Sequence, residues 1–374
     1  MNEDLETKKE FNPMPLISSA VVLLCSTLAS FIFSTTWLLI GIVPLMIAAS
    51  EFSKLIITKQ TVFSLIVSPL SIALMALIQV FVKSGMYPVV MAGSFIVAGA
   101  VLAIAAEHNL GRLATNIIIA SIYGVFFIGA AFLAYVNAGL EVSIDGFKDF
   151  FNTTMNQVQT NLKDSLYNLF SNNPYTASIS NLDEYVTEMT TSLVFTFKAV
   201  FVVVFIAILE FMGHFTAGFY VFTAKRTGLE IIVPLGGWLI EMSHISAIVF
   251  FISEAAYFVF YLLGFFGAAV DIPYIIAINF IIVLMPNLIF LGLQRMFIRR
   301  PGQNKRRIPI WIFIILLFIA PFLLLIFLAS IGALSIYNDY RKKKLEEMKN
   351  DEDHFDDFND NNDNNDNNDN NDYQ

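Results

Sequence analysis

Apolar residues fill nearly the whole chain from Pro15 to Leu334 in blocks long enough to cross a bilayer. One long polar interruption, roughly 137–190, breaks the series. A hydrocarbon core about 30 Å thick takes about 20 apolar residues of helix per crossing. On that basis spans are read at 14–33, 36–50, 61–82, 87–106, 114–136, 191–212, 244–268, 272–294 and 309–336. The pattern predicts an all-α polytopic transmembrane bundle of about eight or nine spans. The second block is short and interrupted by Pro44, so it is tilted, broken or only partly inserted.

The polar interruption carries its own periodicity. Ile144, Phe147, Phe151, Met155, Val158, Leu162, Leu166 and Leu169 fall at steps of three and four, a single apolar stripe on a helix. Asn172-Asn173-Pro174 ends it, because the residue before proline is pushed out of the helical region. Ile179, Leu182, Val186 and Met189 form a shorter stripe that leads into the sixth span. The segment 137–190 is therefore expected to be an external amphipathic helical element. It lies either as a cap on the outer surface of the bundle or as an interfacial helix in the headgroups. The resulting organisation is a cytoplasmic N-terminus (1–13), helices 1–5 (14–136), the external segment, helices 6–9 (191–344) and a tail (345–374). The tail is Asp/Asn low complexity and is expected to be disordered, since it has too little apolar area to offset chain entropy.

Charge sharpens the topology. Only 14% of residues are charged and the mean hydropathy is +0.67, whereas a soluble domain has about 25% charged residues. The net charge of −9 misleads, because Glu346–Gln374 holds twelve acids and one lysine; the remainder has nineteen acids against twenty-one bases. Lys8 and Lys9, Lys54 and Lys59, Arg112, Lys225 and Arg226, and the Arg295–Arg307 loop fall in alternate connections. With the N-terminus inside, all of them are cytoplasmic. A ninth crossing would then place Arg341–Lys344 outside. Either the last apolar stretch folds back near Pro321, or the second block does not cross.

Candidate chemistry is sparse. The chain contains no Gly-x-x-x-x-Gly-Lys-Ser/Thr phosphate loop, no Gly-x-Gly-x-x-Gly, no His-Glu-x-x-His and no CxxC; its single cysteine, Cys25, forms no intrachain disulfide. No cofactor, metal site, nucleic-acid surface or nucleophile–base pair is expected, and the chain reads as a non-enzyme. Ionisable groups inside spans are costly and become functional candidates. Glu254 lies near the middle of the seventh span, roughly 15 Å from either end. Lys198 sits two turns inside the outer end of the sixth, and Asn279 and Asn287 lie on the eighth. Straight helices would place Lys198 with Asn279 in one layer and Glu254 with Asn287 in a deeper one. These four are the candidate ligand-binding residues; the alternative is that they only bond helices together. Glu107, His108, Glu210, Glu241 and His244 fall at the inner ends of spans, where water and headgroups satisfy them.

The C-terminal third carries a resemblance. Its features are Thr223-Ala224-Lys225-Arg226, the turn with Trp238, the basic Arg299–Arg307 loop and the closing Gly332-Ala333-Leu334-Ser335-Ile336-Tyr337-Asn338-Asp339-Tyr340-Arg341. With the external segment after the fifth span, this order resembles the YybS-like family of bacterial membrane proteins over about residues 14–344. That family is similar in its N-terminal half to the S components of energy-coupling-factor vitamin transporters. The resemblance implies a small-molecule-binding subunit of the cytoplasmic membrane that works with a separate coupling subunit and ATPases. The small-x-x-x-small face that docks such a coupling subunit is approximated here only by Cys25/Ala29 and Ser26/Ser30. A non-transporting membrane scaffold or regulator is the alternative function.

Overall fold

The computed structural model describes residues 17, 20–29, 38–58, 61–82, 87–137, 139, 142–173, 176, 181–227, 240–266, 271–297 and 321–363. Helices account for nearly all of them: α1 (Ala20–Ala29), α2 (Leu38–Ile57), α3 (Thr61–Val82), α4 (Tyr87–Glu107), α5 (Arg112–Asn137), α6 (Ile144–Ser171), α7 (Leu182–Thr227), α8 (His244–Phe265), α9 (Asp271–Phe297) and α10 (Pro321–Asp363). No strand occurs among the described residues. Among the described residues, five segments are long and apolar enough to cross a membrane: Arg112–Asn137, Leu182–Ala224, His244–Gly264, Ile272–Met296 and Leu323–Met348. The second block is one helix that passes through Pro44 without a break.

Local chemistry fixes the ends. Ser143 caps α6 by accepting from Gly146 N at 2.9 Å, with Asp145 in the first turn to complement the helix dipole. Ser243 caps α8 through Ile245 N at 3.3 Å. Between α4 and α5 the chain turns within a few residues. Asn109 takes a positive φ of 52°, which asparagine tolerates, and Leu110 N donates back to Ala105 O at 2.9 Å.

Two cores form, with α7 between them. The first gathers Leu23, Leu45, Ala49, Phe52, Phe95, Ala98, Leu102, Ile119 and Tyr123 from α1, α2, α4 and α5 against Met212, Ala217 and Tyr220 of α7. The second joins Phe250, Leu288, Ile289, Leu328, Ala329 and Ala333 from α8, α9 and α10, with Phe211 of α7 against it. Lipid is as apolar as leucine, so close backbone approach rather than burial from water must hold such helices together. Glycines mark these approaches. A Cβ on Gly213 would come within 2.6 Å of Asn116 O on α5. Cβ atoms on Gly292 and Gly332 would overlap the carbonyl oxygens of Leu328 and Leu288 across the α9–α10 contact.

That last contact sets the direction of α10. One turn beyond Gly292, Arg295 reaches Asp339, which lies two turns beyond Gly332. The C-terminal sides of both helices therefore meet, and α10 runs parallel to α9. At the same end, His244 at the start of α8 stacks on Tyr340 with ring centroids 4.1 Å apart. Of the two ways out of the charge conflict, this arrangement fits a fold-back near Pro321: Arg341–Lys344 share an end with Arg295. The stretch 309–320 lies outside the described residues, as do Trp238 and nearly all of the basic loop. α10 continues as helix to Asp363, well into the segment read as disordered. Extending a helix already nucleated by packing fixes only one residue per added bond, and Lys343 with Glu347 adds an i,i+4 pair.

Within the segment 137–190, α6 packs along α7 as an antiparallel hairpin. Phe151 meets Phe201 (ring centroids 6.0 Å), Gln159 Nε2 donates to Thr191 Oγ1 (3.1 Å), Lys163 pairs with Asp183 (3.0 Å) and Phe170 meets Tyr185 (6.3 Å). The reason lies in α7, which begins at Leu182 rather than near 191 and makes the short second stripe continuous with the span. Val186, Thr190 and Val194 of α7 and Met155 of α6 are buried. Tyr135 at the end of α5 packs on Phe147 and Phe150 at the hairpin's base. Counted from the Phe127–Phe205 contact, α5 ends level with about residue 195 of α7, so the hairpin projects beyond it. Much of the predicted stripe stays open: Ile144, Phe147 and Leu169 are at least 60% exposed.

Candidate functional site

The polar groups that the structure brings together lie where α5, α7 and α9 meet. Asn116 Nδ2 is 2.6 Å from His214 Nδ1, His214 Nε2 is 2.8 Å from Asn287 Oδ1, and Asn287 Nδ2 is 2.9 Å from Glu210 Oε2. Asn116, His214 and Asn287 are all at least nine-tenths buried, and Glu210 is half-buried. Each side chain arrives there for a local reason. Gly213 lets the α7 backbone close onto Asn116, and the Phe290 ring stacks on the imidazole at 4.5 Å and fixes its plane. Glu210 and His214 are one turn apart on the same face of α7.

The bonds form a directed chain. With Glu210 ionised, its carboxylate only accepts, so Asn287 donates with Nδ2 and has only Oδ1 left for the histidine. His214 must then carry its proton on Nε2 and accept at Nδ1 from Asn116. Every link is satisfied except the far end, where Asn116 Oδ1 is buried without a hydrogen-bond partner. A buried acceptor left open calls for an explanation, and a bound donor supplies one. Around the chain, Tyr123 donates to Thr216 Oγ1 at 3.1 Å, since the Thr216 hydroxyl already donates to Met212 O at 2.8 Å. Arg112, one turn before Asn116, lies beside Gly218.

Of the four residues singled out in the sequence, only Asn287 enters this chain. The α8–α9 register separates the others. Tyr257 meets Tyr274 with centroids 5.1 Å apart, and Ile240 N donates to Gln294 Oε1 at 3.1 Å near the opposite end. Counting along this antiparallel pair puts Glu254 level with Ala277 and Asn279, and Asn287 roughly 15 Å deeper. Glu254 is half-buried at the Asn279 level, and Asn279 Oδ1 is buried without a partner. Lys198 is exposed on α7, about 18 Å along the helix from Glu210. The expected layers are thus re-sorted, because straight-helix counting misjudged where α8 and α9 turn.

Sequence reasoning missed His214 and Asn116 and set Glu210 aside as an interfacial acid. The legible signal was Glu210-x-x-x-His214, an acid and an imidazole one turn apart; ending the span at 212 concealed it. Lys54 was also misplaced. Far from a loop cation, it forms a 2.6 Å ion pair with Glu51 inside α2, both side chains 4% exposed. No cluster of metal-ligating side chains occurs among the described residues. Comparison of the chain with family models, curated proteins and solved structures finds no match.

Proposed function

We propose that the chain is a multi-pass protein of a bacterial cytoplasmic membrane, crossing eight or nine times, that binds a small molecule for transport. The role is that of an S-component-like subunit, as the YybS-like resemblance implies. The observation that carries the reading is the chain Asn116–His214–Asn287–Glu210, buried between three helices and ending in an open acceptor. Intramembrane polar groups of this kind mark ligand or ion paths by default. A ligand arriving beside α6 would pass Lys198, then the Asn279 and Glu254 level, and reach Asn116. The chain has no phosphate-binding loop, so energy comes from a coupling subunit and ATPases supplied as partners. It is a binding protein rather than an enzyme.

Native mass spectrometry of the protein purified in mild detergent tests this. A small molecule retained by the wild type and lost in Asn116→Leu is the expected result. A well-folded preparation that carries no small molecule and no ATPase overturns it and favours a scaffold. One observation favours that second reading. α10 runs parallel to α9, which sets the exposed Arg341–Lys344 at the end of the bundle where α9 finishes, a basic surface suited to an acidic partner.

A further inference from the structure

We propose that Glu210 is a proton-binding site whose occupancy decides, through Asn287 and His214, whether Asn116 offers a bound molecule an acceptor or a donor. Three short contacts and the chemistry of the groups make this possible. A side-chain amide rotated by half a turn exchanges its oxygen and nitrogen at almost no steric cost, and a neutral imidazole carries its proton on either nitrogen. The chain is therefore complete in two opposite senses. When Glu210 is ionised, donation runs from Asn116 to His214, to Asn287, to the carboxylate, and leaves Asn116 Oδ1 open. When Glu210 is protonated, its O–H donates to Asn287 Oδ1. Asn287 Nδ2 then donates to His214 Nε2, and His214 donates from Nδ1 to Asn116 Oδ1. That form leaves the Asn116 amide N–H free.

The two forms differ by one proton, which water supplies and the Glu210 carboxyl keeps. His214 loses a proton from Nε2 and regains one at Nδ1, so it stays neutral throughout. Mixed arrangements place two donors or two acceptors face to face in a buried site, where each unmet group costs about 1–3 kcal/mol. The chain thus switches as a unit. A molecule that donates to Asn116 favours the ionised acid and releases a proton on binding. One that accepts from Asn116 takes a proton up.

The charged and titratable groups on elements packed against α7 do not supply a competing path. On α5 they are Arg112, beside Gly218, Tyr123, bonded to Thr216, and Tyr135, packed on Phe147 and Phe150. On α2, Glu51 and Lys54 pair with each other; on α9, Arg295 pairs with Asp339 and Tyr274 donates to Tyr257; on α6, Lys163 pairs with Asp183 and Tyr167 is exposed. Asp145, Lys148 and Asp149 of α6 are exposed at the hairpin's base, beside the last turn of α5, and Asp164 is exposed nearer its tip.

The test uses the proton as its probe, so it stands or falls apart from any search for a ligand, although it concerns the same residues. Full-length protein labelled with 15N-histidine is titrated in nanodiscs, and the His214 signals are those absent from His214→Gln. Should that variant fail to fold, a chain with His108, His244 and His354 changed to Gln isolates the same signals. The infrared carbonyl band of a protonated carboxyl, lost in Glu210→Gln, reports the acid. The expected result is that His214 changes from the Nε2–H to the Nδ1–H tautomer over the pH range in which that band grows. Glu210→Gln should abolish the pH dependence, and Asn287→Leu should let the acid titrate while His214 no longer follows. A His214 tautomer indifferent to the acid, a His214 that becomes cationic in that range, or an unchanged tautomer titration in Glu210→Gln overturns the proposal.

Discussion

His214 owes its position to three neighbours at once: Asn116, Asn287 and the stacked ring of Phe290. A double-mutant cycle of His214→Phe and Asn287→Leu, read by thermal unfolding in detergent, should give a favourable coupling of about 1 kcal/mol, typical of polar pairs between membrane helices. Additive effects would mean that the two side chains act separately. The buried Glu51–Lys54 pair behaves differently. Removing one partner strands a charge, so Lys54→Met should destabilise by about 3–5 kcal/mol, while Glu51→Met/Lys54→Met recovers most of that loss. Asn116 and His214 show what the sequence withheld. An asparagine and a histidine near apolar blocks look alike whether they face lipid headgroups or one another, and only the α5–α7 pairing at Gly213 decides.

Among the elements, the α9–α10 crossing rests on two glycines. Gly292→Ala or Gly332→Ala forces a methyl against the facing carbonyl and should destabilise by about 1–3 kcal/mol, with Arg295 and Asp339 moved apart. A variant that unfolds like wild type would show that the approach is not needed. The amphipathic period of α6 was plain in the sequence, and so was the asparagine–proline stop after it. What the pattern could not give was the partner. An apolar stripe is satisfied equally by headgroups, by a bundle surface or by another helix, and it was the uninterrupted start of α7 at Leu182 that settled the matter. The depth of Glu254 escaped for a similar reason: residue counting assumes the place of a turn, whereas Tyr257 against Tyr274 fixes it.

For the whole molecule, the class was written in the apolar blocks, because backbone groups in lipid must be satisfied within helices. Direction was not, since a block carries no sense of which neighbour it runs beside. The parallel pairing of α9 and α10 predicts that a cysteine at Lys344 is labelled by an impermeant maleimide from the cytoplasmic face, and one at Asn161 in α6 from the opposite face. Both are placed in a Cys25→Ser background, which removes the only native thiol. Labelling of both from one side would reverse the assignment of α10.

The length of α7 has a mechanical consequence. Its 46 residues make a rod about 69 Å long, and neither glycine nor proline occurs between Leu182 and Glu210. Such a stretch has no ready hinge. The hairpin and the buried-chain carboxylate are thus mounted on one lever, with α5 as its bearing near Gly213. A few degrees of tilt imposed on the exposed tip, by an arriving molecule or a grasping protein, would slide Glu210 against Asn287. Touch at the surface and chemistry in the interior would then be a single movement.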